Sequence, residues 1–201
     1  MEKEIEYNMV DLGLPSGLKW ADRNVGAVNV QDYGDYFMWG SVTPDTNKPC
    51  DWAHAPFNNG SEEYDEAYFS EHKSEWFTDE GTLKPEYDAA HAIMGGKWRM
   101  PTSAEILELI DGTTHSVEEL NGIAGMRFTS NANGNSVFMP FAGHRDGSEV
   151  ISVGYGGNAL SSSLHAISAS YSQYLVFICY GNVVFYYDYR YVGYVVRGVH
   201  E

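Results

Sequence analysis

This sequence of 201 residues has little cysteine, few basic residues and no long apolar run, and each shortage removes a class of protein. The two cysteines, Cys50 and Cys179, stand far apart with no CxxC spacing, so a disulfide framework is excluded; two free thiols are expected, a single disulfide being the alternative. Twelve Lys and Arg against 28 Asp and Glu give a net charge of -16, which argues against nucleic acid or an anionic membrane as partner. No apolar stretch approaches the roughly 18 residues that cross a bilayer. The acidic opening MEKEIEYNMV lacks the apolar core of a secretory signal. A soluble protein without a signal peptide is therefore expected. Ser-His-Asp arrangements, HExxH and a phosphate-binding glycine loop in its proper context are also missing.

What is present reads as one α+β domain over 1–201. VDLGLPSGLKWADRNVGA suggests a hairpin around a Pro-Ser-Gly turn. Residues 49–86 show no clear period and are expected to form a long, partly ordered loop or insertion that carries no chemistry. KPEYDAAHAIMGG predicts a helix stopped at Gly95 and Gly96. RMPTSAEILELIDG predicts a second, with a capping box from Thr102 to Glu105 and an apolar face of Ile106, Leu109 and Ile110. Short strands follow at MRFTS, SVFMPFAG, SQYLVFI, NVVFYY and YVVRGV. The expected architecture is two helices packed on a twisted, mainly antiparallel sheet. Trp20, Trp39 and Trp98 are read as core anchors, and His91 and His144 as packing or surface groups.

A second shortage is local. All five Trp, all seven Met and every Lys lie before residue 140, and between 150 and 194 the set Lys, Met, Trp, Glu and Gln is represented by Gln173 alone. A buried sheet would lose Lys and Glu, but cores use Met and Trp freely. No codon for any of these five residues ends in C or T, so a segment of codons ending in C would show just this palette.

The motifs VDLGLPSGLKWADRNVGA, YGDYFMWG, DAAHAIMGGKWRMPTSAEILELI, SNANGNSVFMPFAGHRDG, SSS and RYVGYVVRGV together resemble the major-paralogous-domain proteins of Bacteroidetes and Fibrobacter, of C-type-lectin-like fold. The likeness is strongest to the variable proteins of diversity-generating retroelements and covers nearly the whole chain. It implies a scaffold over 1–149 and a C-terminal segment, 150–201, carrying a diversified ligand-binding face. Adenines in AAC-type codons would be rewritten there by a reverse transcriptase. Mapped residue by residue, the resemblance makes Ser161, Ser162, Ser163, Leu175, Phe177, Gly181, Val183, Arg190, Gly193, Val196 and Arg197 scaffold.

The variable, ligand-contacting positions implied are Tyr174, Val176, Ile178, Tyr180, Asn182, Val184, Phe185, Tyr186, Tyr187, Asp188, Tyr189, Tyr191, Val192 and Tyr194. Tyr155, Ala159, His165, Ile167 and Ala169 join them upstream. The chain departs from the family pattern at Leu160, Gln173 and Gly198, where Trp, Tyr and Pro are usual. Strand alternation fits this division, since Leu175 and Phe177 would turn inward while Tyr174, Val176 and Ile178 turn outward.

The function implied is non-enzymatic binding of a macromolecule, such as a cell-surface protein, from a phage tail tip or a bacterial surface, with multivalent display raising avidity. No cofactor, metal, nucleic acid or membrane insertion is expected. Two other activities occur on this fold class. A formylglycine-generating enzyme would need paired cysteines for copper, and Cys179 has no neighbouring partner. A calcium-dependent sugar-binding lectin would need EPN or QPD and WND motifs, none of which is present.

Overall fold

In the computed structural model, which describes residues 6–201, the chain runs through three α-helices, one short 3-10 helix (Pro85–Tyr87) and fourteen short strands, the α-helices and strands being labelled in chain order. In order these are β1 (Met9–Asp11), β2 (Lys19–Ala21), β3 (Tyr36–Phe37), α1 (Glu66–Trp76), α2 (Ala89–Met94), β4 (Trp98–Arg99), α3 (Ser103–Gly112), β5 (Thr113–Leu120), β6 (Ile123–Ser130) and β7 (Ser136–Pro140). Then follow β8 (His144–Asp146), β9 (Glu149–Ile151), β10 (Gly156–Leu164), β11 (Tyr171–Ile178), β12 (Val183–Tyr189), β13 (Tyr194–Val195) and β14 (Val199–His200). The fold is α+β, and every strand pairing is antiparallel. The first residues of the acidic opening, 1–5, lie outside the described part.

Instead of one twisted sheet, the strands form several small ones. The expected N-terminal hairpin is present as β1 and β2, and β14 inserts between β2 and β4, so the last strand is held by the second. β5, β6 and β7 form one meander, and β10, β11 and β12 another. Arg197, fully buried, ties the N-terminal sheet to the β5–β7 meander. Its Nε donates to Asn24 Oδ1 at 2.9 Å, Nη1 to the Ala21 carbonyl at 3.0 Å and Nη2 to the Phe138 carbonyl at 2.9 Å.

Helix α3 begins as expected. Thr102 Oγ1 accepts from the Glu105 amide, Glu105 Oε2 accepts from the Thr102 amide at 2.7 Å, and Ile106 and Leu109 are buried. Burial alone would raise the Glu105 pKa, but bonds from Arg99 and Thr102 outweigh it and hold the carboxyl below its usual range. Helix α2 starts on Asp88, whose Oδ1 accepts from the His91 amide, and stops at Gly95 with φ +69, a conformation that disfavours any side chain. Trp20, Trp39 and Trp98 are all buried.

One expectation about an element needs correction, and one strand carries no signal in the sequence. The segment 49–86 is not simply a loop, because it contains the longest helix, α1, capped by Asp65, whose Oδ1 accepts from the Tyr68 amide at 2.9 Å. Its buried residues, Phe69 and Trp76, lie seven apart with polar residues between, which leaves too narrow an apolar stripe to register as a period. Tertiary contact with Trp39, Phe57 and Phe77 stabilises it instead. The strand without a signal is β10, a Gly-, Ala- and Ser-rich segment with low strand propensity. Small residues are required there: a Cβ on Gly157 would strike the Phe177 ring and approach the Pro140 carbonyl to 2.6 Å. The serines make structural bonds, with Ser161 O accepting from Trp39 Nε1 at 2.7 Å and Ser163 Oγ accepting from the Ser103 amide at 3.0 Å.

Strand β11 lies between two hydrophobic cores. Leu175 and Phe177 enter a core with Trp20, Ile106, Leu109 and Phe128, while Tyr174 enters another with Trp39, Val192 and Tyr194.

Candidate ligand-binding face

The β11–β12 hairpin turns at Gly181 (φ +89), and β12 is the outer strand of its sheet. Register sets the two faces. Ser172 and Asp188, Tyr174 and Tyr186, and Val176 and Val184 pair on one; Tyr171 and Tyr189, Gln173 and Tyr187, and Leu175 and Phe185 pair on the other. An edge strand leaves a row of side chains and backbone groups without a neighbouring strand.

Exposure divides the nineteen implied positions. Tyr155 (69%), Ile167 (91%), Tyr180 (84%), Val184 (47%), Tyr186 (56%), Tyr187 (45%) and Tyr189 (41%) are exposed, as is Asn182. His165, Ala169, Val176, Ile178, Phe185, Asp188 and Tyr191 are half-buried. Ala159, Tyr174, Val192 and Tyr194 are buried, which corrects their placement on a solvent face. Ala159 packs beside Leu175 and Phe177, and Val192 joins the core of Trp39, so neither can meet a partner. The alternation of β11 is as expected, but its outward face is roofed at Tyr174 by Tyr194, their rings stacked 4.2 Å apart. Of the scaffold positions, Leu175, Phe177, Arg190, Gly193, Val196 and Arg197 are buried.

Exposed and half-buried tyrosines together form a belt of contacting rings. Tyr186 stacks on Tyr187 at 5.3 Å, Tyr187 meets Tyr171 at 5.1 Å, Tyr171 stacks on Tyr189 at 5.2 Å, and Tyr189 stacks on Tyr191 at 5.5 Å. Trp52 extends the belt, 5.1 Å from Tyr191 and 5.2 Å from Tyr64. His165 abuts Tyr187 at 4.7 Å. Tyr155 and Tyr180 stand at the hairpin end, joined through the bond from the Cys179 amide to the Tyr155 carbonyl. Ile167 sits apart, in the loop beside α1.

Sequence reasoning missed Tyr171, Trp52, Tyr64 and His144. Tyr171 could have been found, since it belongs to the same Tyr- and Ser-rich palette. Trp52 and Tyr64 could not, because only the docking of 49–86 brings them here. Arg190 directs that docking. Its buried guanidinium lies 4.6 Å from the Phe69 ring centre, 5.0 Å from Tyr64 and 5.5 Å from Trp52, and Nη2 donates to the Phe57 carbonyl at 2.7 Å.

Beside the belt runs a groove of about 390 Å³, walled by His144, Val176, Val184, Tyr186, Asp188 and Tyr194. Burial pushes Tyr174 up to about 12 and raises Tyr194 further, so both are neutral phenols, and Tyr194 Oη donates to Asp188 Oδ2 at 3.2 Å. Burial also lowers His144, against the opposing pull of Asp146 and Asp188. A slightly larger cleft, about 430 Å³, lies near α2 and Glu201. Two of its charged groups are already engaged, Arg99 pairing with Glu105 and Asp88 accepting from the Met100 and His91 amides, so these offer a ligand less than the groove does. Both cysteines are free, and burial pushes Cys50 up to about 11. Among the described residues no three His, Cys, Asp or Glu side chains gather as a metal site, and no helix is long and apolar enough to cross a membrane.

If the exposed positions serve a partner and not the fold, their loss leaves the fold intact. Tyr155→Ala, Ile167→Ala and Tyr180→Ala are each expected to change unfolding free energy by less than about 0.5 kcal/mol, measured by urea denaturation. A loss of several kcal/mol at any of them would assign that residue to the core.

Compared with protein families, with curated proteins and with solved structures, the chain matches none.

Proposed function

We propose that this chain is a non-enzymatic ligand-binding protein of C-type-lectin-like fold, whose edge strand and adjoining loops are diversified to recognise a macromolecule, such as a protein on a cell surface. One observation carries the reading. The segment that lacks Lys, Met, Trp and Glu between 150 and 194 is also the segment that presents the exposed tyrosine belt, while most of the implied fixed positions within it, Ser161, Ser162, Leu175, Phe177, Arg190 and Gly193, are buried. A palette set only by burial would not place its tyrosines in solvent.

Tyrosine suits such a face, offering a large amphipathic contact with only two torsions to immobilise. Four or five anchors at about 1–2 kcal/mol each would work against an association cost of about 4–15 kcal/mol. Affinity then depends on complementarity and on display in several copies. A phage tail tip or a bacterial surface would supply that display.

Sequencing the locus in independent isolates tests the proposal. Expected are a nearby reverse transcriptase gene, a near-copy of the 3' end rich in AAC codons, and changes at the codons of Tyr155, Tyr180, Tyr186, Tyr187 and Tyr189 with Leu175, Arg190 and Arg197 constant. A locus with neither gene nor copy, and with changes spread evenly over both sets, would overturn it.

A further inference from the structure

The groove beside the tyrosine belt changes character along its length. At one end is Asp188, half-buried, with Oδ2 accepting from Tyr194 Oη and Oδ1 from the Tyr189 amide at 2.7 Å. No Lys, Arg or His among the described residues forms an ion pair with it. Next come three rings: Tyr174 stacked on Tyr194, and Tyr186 opposite Tyr174 across the two strands. One cross-strand row further on, Val176 and Val184 form an aliphatic floor, continued by Ile178. The rows are about 7 Å apart, comparable to an extended lysine side chain.

We infer that this groove takes a lysine or arginine side chain of a protein ligand, its alkyl stem on Val176 and Val184 and its cationic head between the exposed Tyr186 ring and the Asp188 carboxylate, beside the stacked pair of Tyr174 and Tyr194. The inference rests on the ligand-binding reading above and names the chemistry of its ligand. Three features favour a cation. Aromatic faces attract positive charge, and more so where water is partly excluded. A carboxylate without a cation beside it is incompletely compensated until one arrives. The whole chain, at -16, steers positively charged partners toward itself. An amphipathic stem with a charged tip also matches the change from aliphatic to anionic lining. Because Val176, Val184, Tyr186 and Asp188 are all implied variable positions, another draw of the same segment would give a slot of different chemistry on the same floor.

The test uses the full chain and short peptides as probes: acetyl-Gly-Lys-Gly-amide, acetyl-Gly-Arg-Gly-amide and the uncharged acetyl-Gly-norleucine-Gly-amide, with tetramethylammonium as a free cation. Binding is followed by NMR shifts of tyrosine ring resonances. The Lys and Arg peptides are expected to shift Tyr174, Tyr186 and Tyr194, and to bind about tenfold more tightly than the norleucine peptide. Asp188→Asn, which keeps an acceptor for Tyr194, should weaken them about tenfold, and Tyr186→Leu about threefold. Equal binding of the norleucine peptide, shifts confined to other residues, or no effect of Asp188→Asn would overturn the inference. Tighter binding of tetramethylammonium than of either peptide would overturn the assignment to a protein side chain. A groove indifferent to charge at a diversified locus would remove this inference alone; a charge-selective groove at an undiversified locus would remove only the retroelement reading.

Discussion

Replacing Arg197 by Met is expected to destabilise the protein by about 3–5 kcal/mol, while the same replacement of Arg190 changes stability by less than about 1.5 kcal/mol. Both guanidinium groups are fully buried, and burial lowers both, Arg197 to about 9 and Arg190 to about 10, so each stays charged at neutral pH. They differ in what they satisfy. Arg197 donates to three acceptors, Asn24 Oδ1 and the carbonyls of Ala21 and Phe138, all of which Met would leave orphaned. An unsatisfied buried acceptor costs about 1–3 kcal/mol, so three orphaned together remove a large share of the roughly 5–15 kcal/mol that holds a domain folded. Arg190 donates to a single carbonyl, that of Phe57, and its Nε and Nη1 are buried without partners. Met removes those two unpaired donors and keeps an apolar, polarisable side chain among Trp52, Tyr64 and Phe69. Urea midpoints of the two variants decide the matter. Coincident midpoints would show that the number of satisfied acceptors is not what distinguishes the two arginines.

Gly143→Ala is expected to lower the melting temperature by roughly 6–12 °C, and Gly122→Ala by only roughly 2–4 °C. Both glycines have positive φ, +64 and +83, so an alanine at either carries about 1 kcal/mol or more of backbone strain. Their surroundings separate them. A Cβ on Gly122 meets nothing within 4 Å. One on Gly143 would land on the Ile151 carbonyl oxygen and lie 2.8 Å from the Val153 amide nitrogen, backbone atoms that cannot rotate aside. Relief would have to come by moving β9 or β10, and both are tied in: Ile151 of β9 pairs with His144 of β8, the Gly143 amide donates to the Gly156 carbonyl at 2.7 Å, and Asn158 Nδ2 donates to the Gly143 carbonyl at 3.1 Å. Since Asn158 and His144 line the groove, Gly143→Ala should also weaken any probe that binds there. Equal melting temperatures for the two variants would mean that the chain between Phe141 and Ser152 adjusts freely.

Much of the local structure was legible in the sequence, because its signals are short-range. The capping box of Thr102 and Glu105, the Gly95 stop and the Pro-Ser-Gly hairpin act through neighbouring backbone groups, so a window of a few residues contains their cause. The periods of β6, β7, β11 and β12 were legible for the same reason. So was the unusual palette of 150–194, which is a property of composition.

What lay beyond the sequence depends on which segments meet. Helix α1 has a single narrow apolar stripe, and β10 has residues chosen for close approach over strand propensity, so neither carries its own signal. Alternation assigned Tyr174 to the outward face of β11 but could not foresee that Tyr194 would cover it. Ala159 and Val192 are buried for a similar reason, by elements distant in sequence. Trp52 reaches the tyrosine belt only because Arg190 gathers the rings of 52–69 around itself. The sequence by itself determined the α+β elements that local capping, turns and period specify, and the segment in which tyrosine is concentrated. Only the tertiary structure decided which tyrosines face solvent and that Asp188 closes a groove, because exposure is set by long-range packing and period alone reports only which side of a strand a residue occupies.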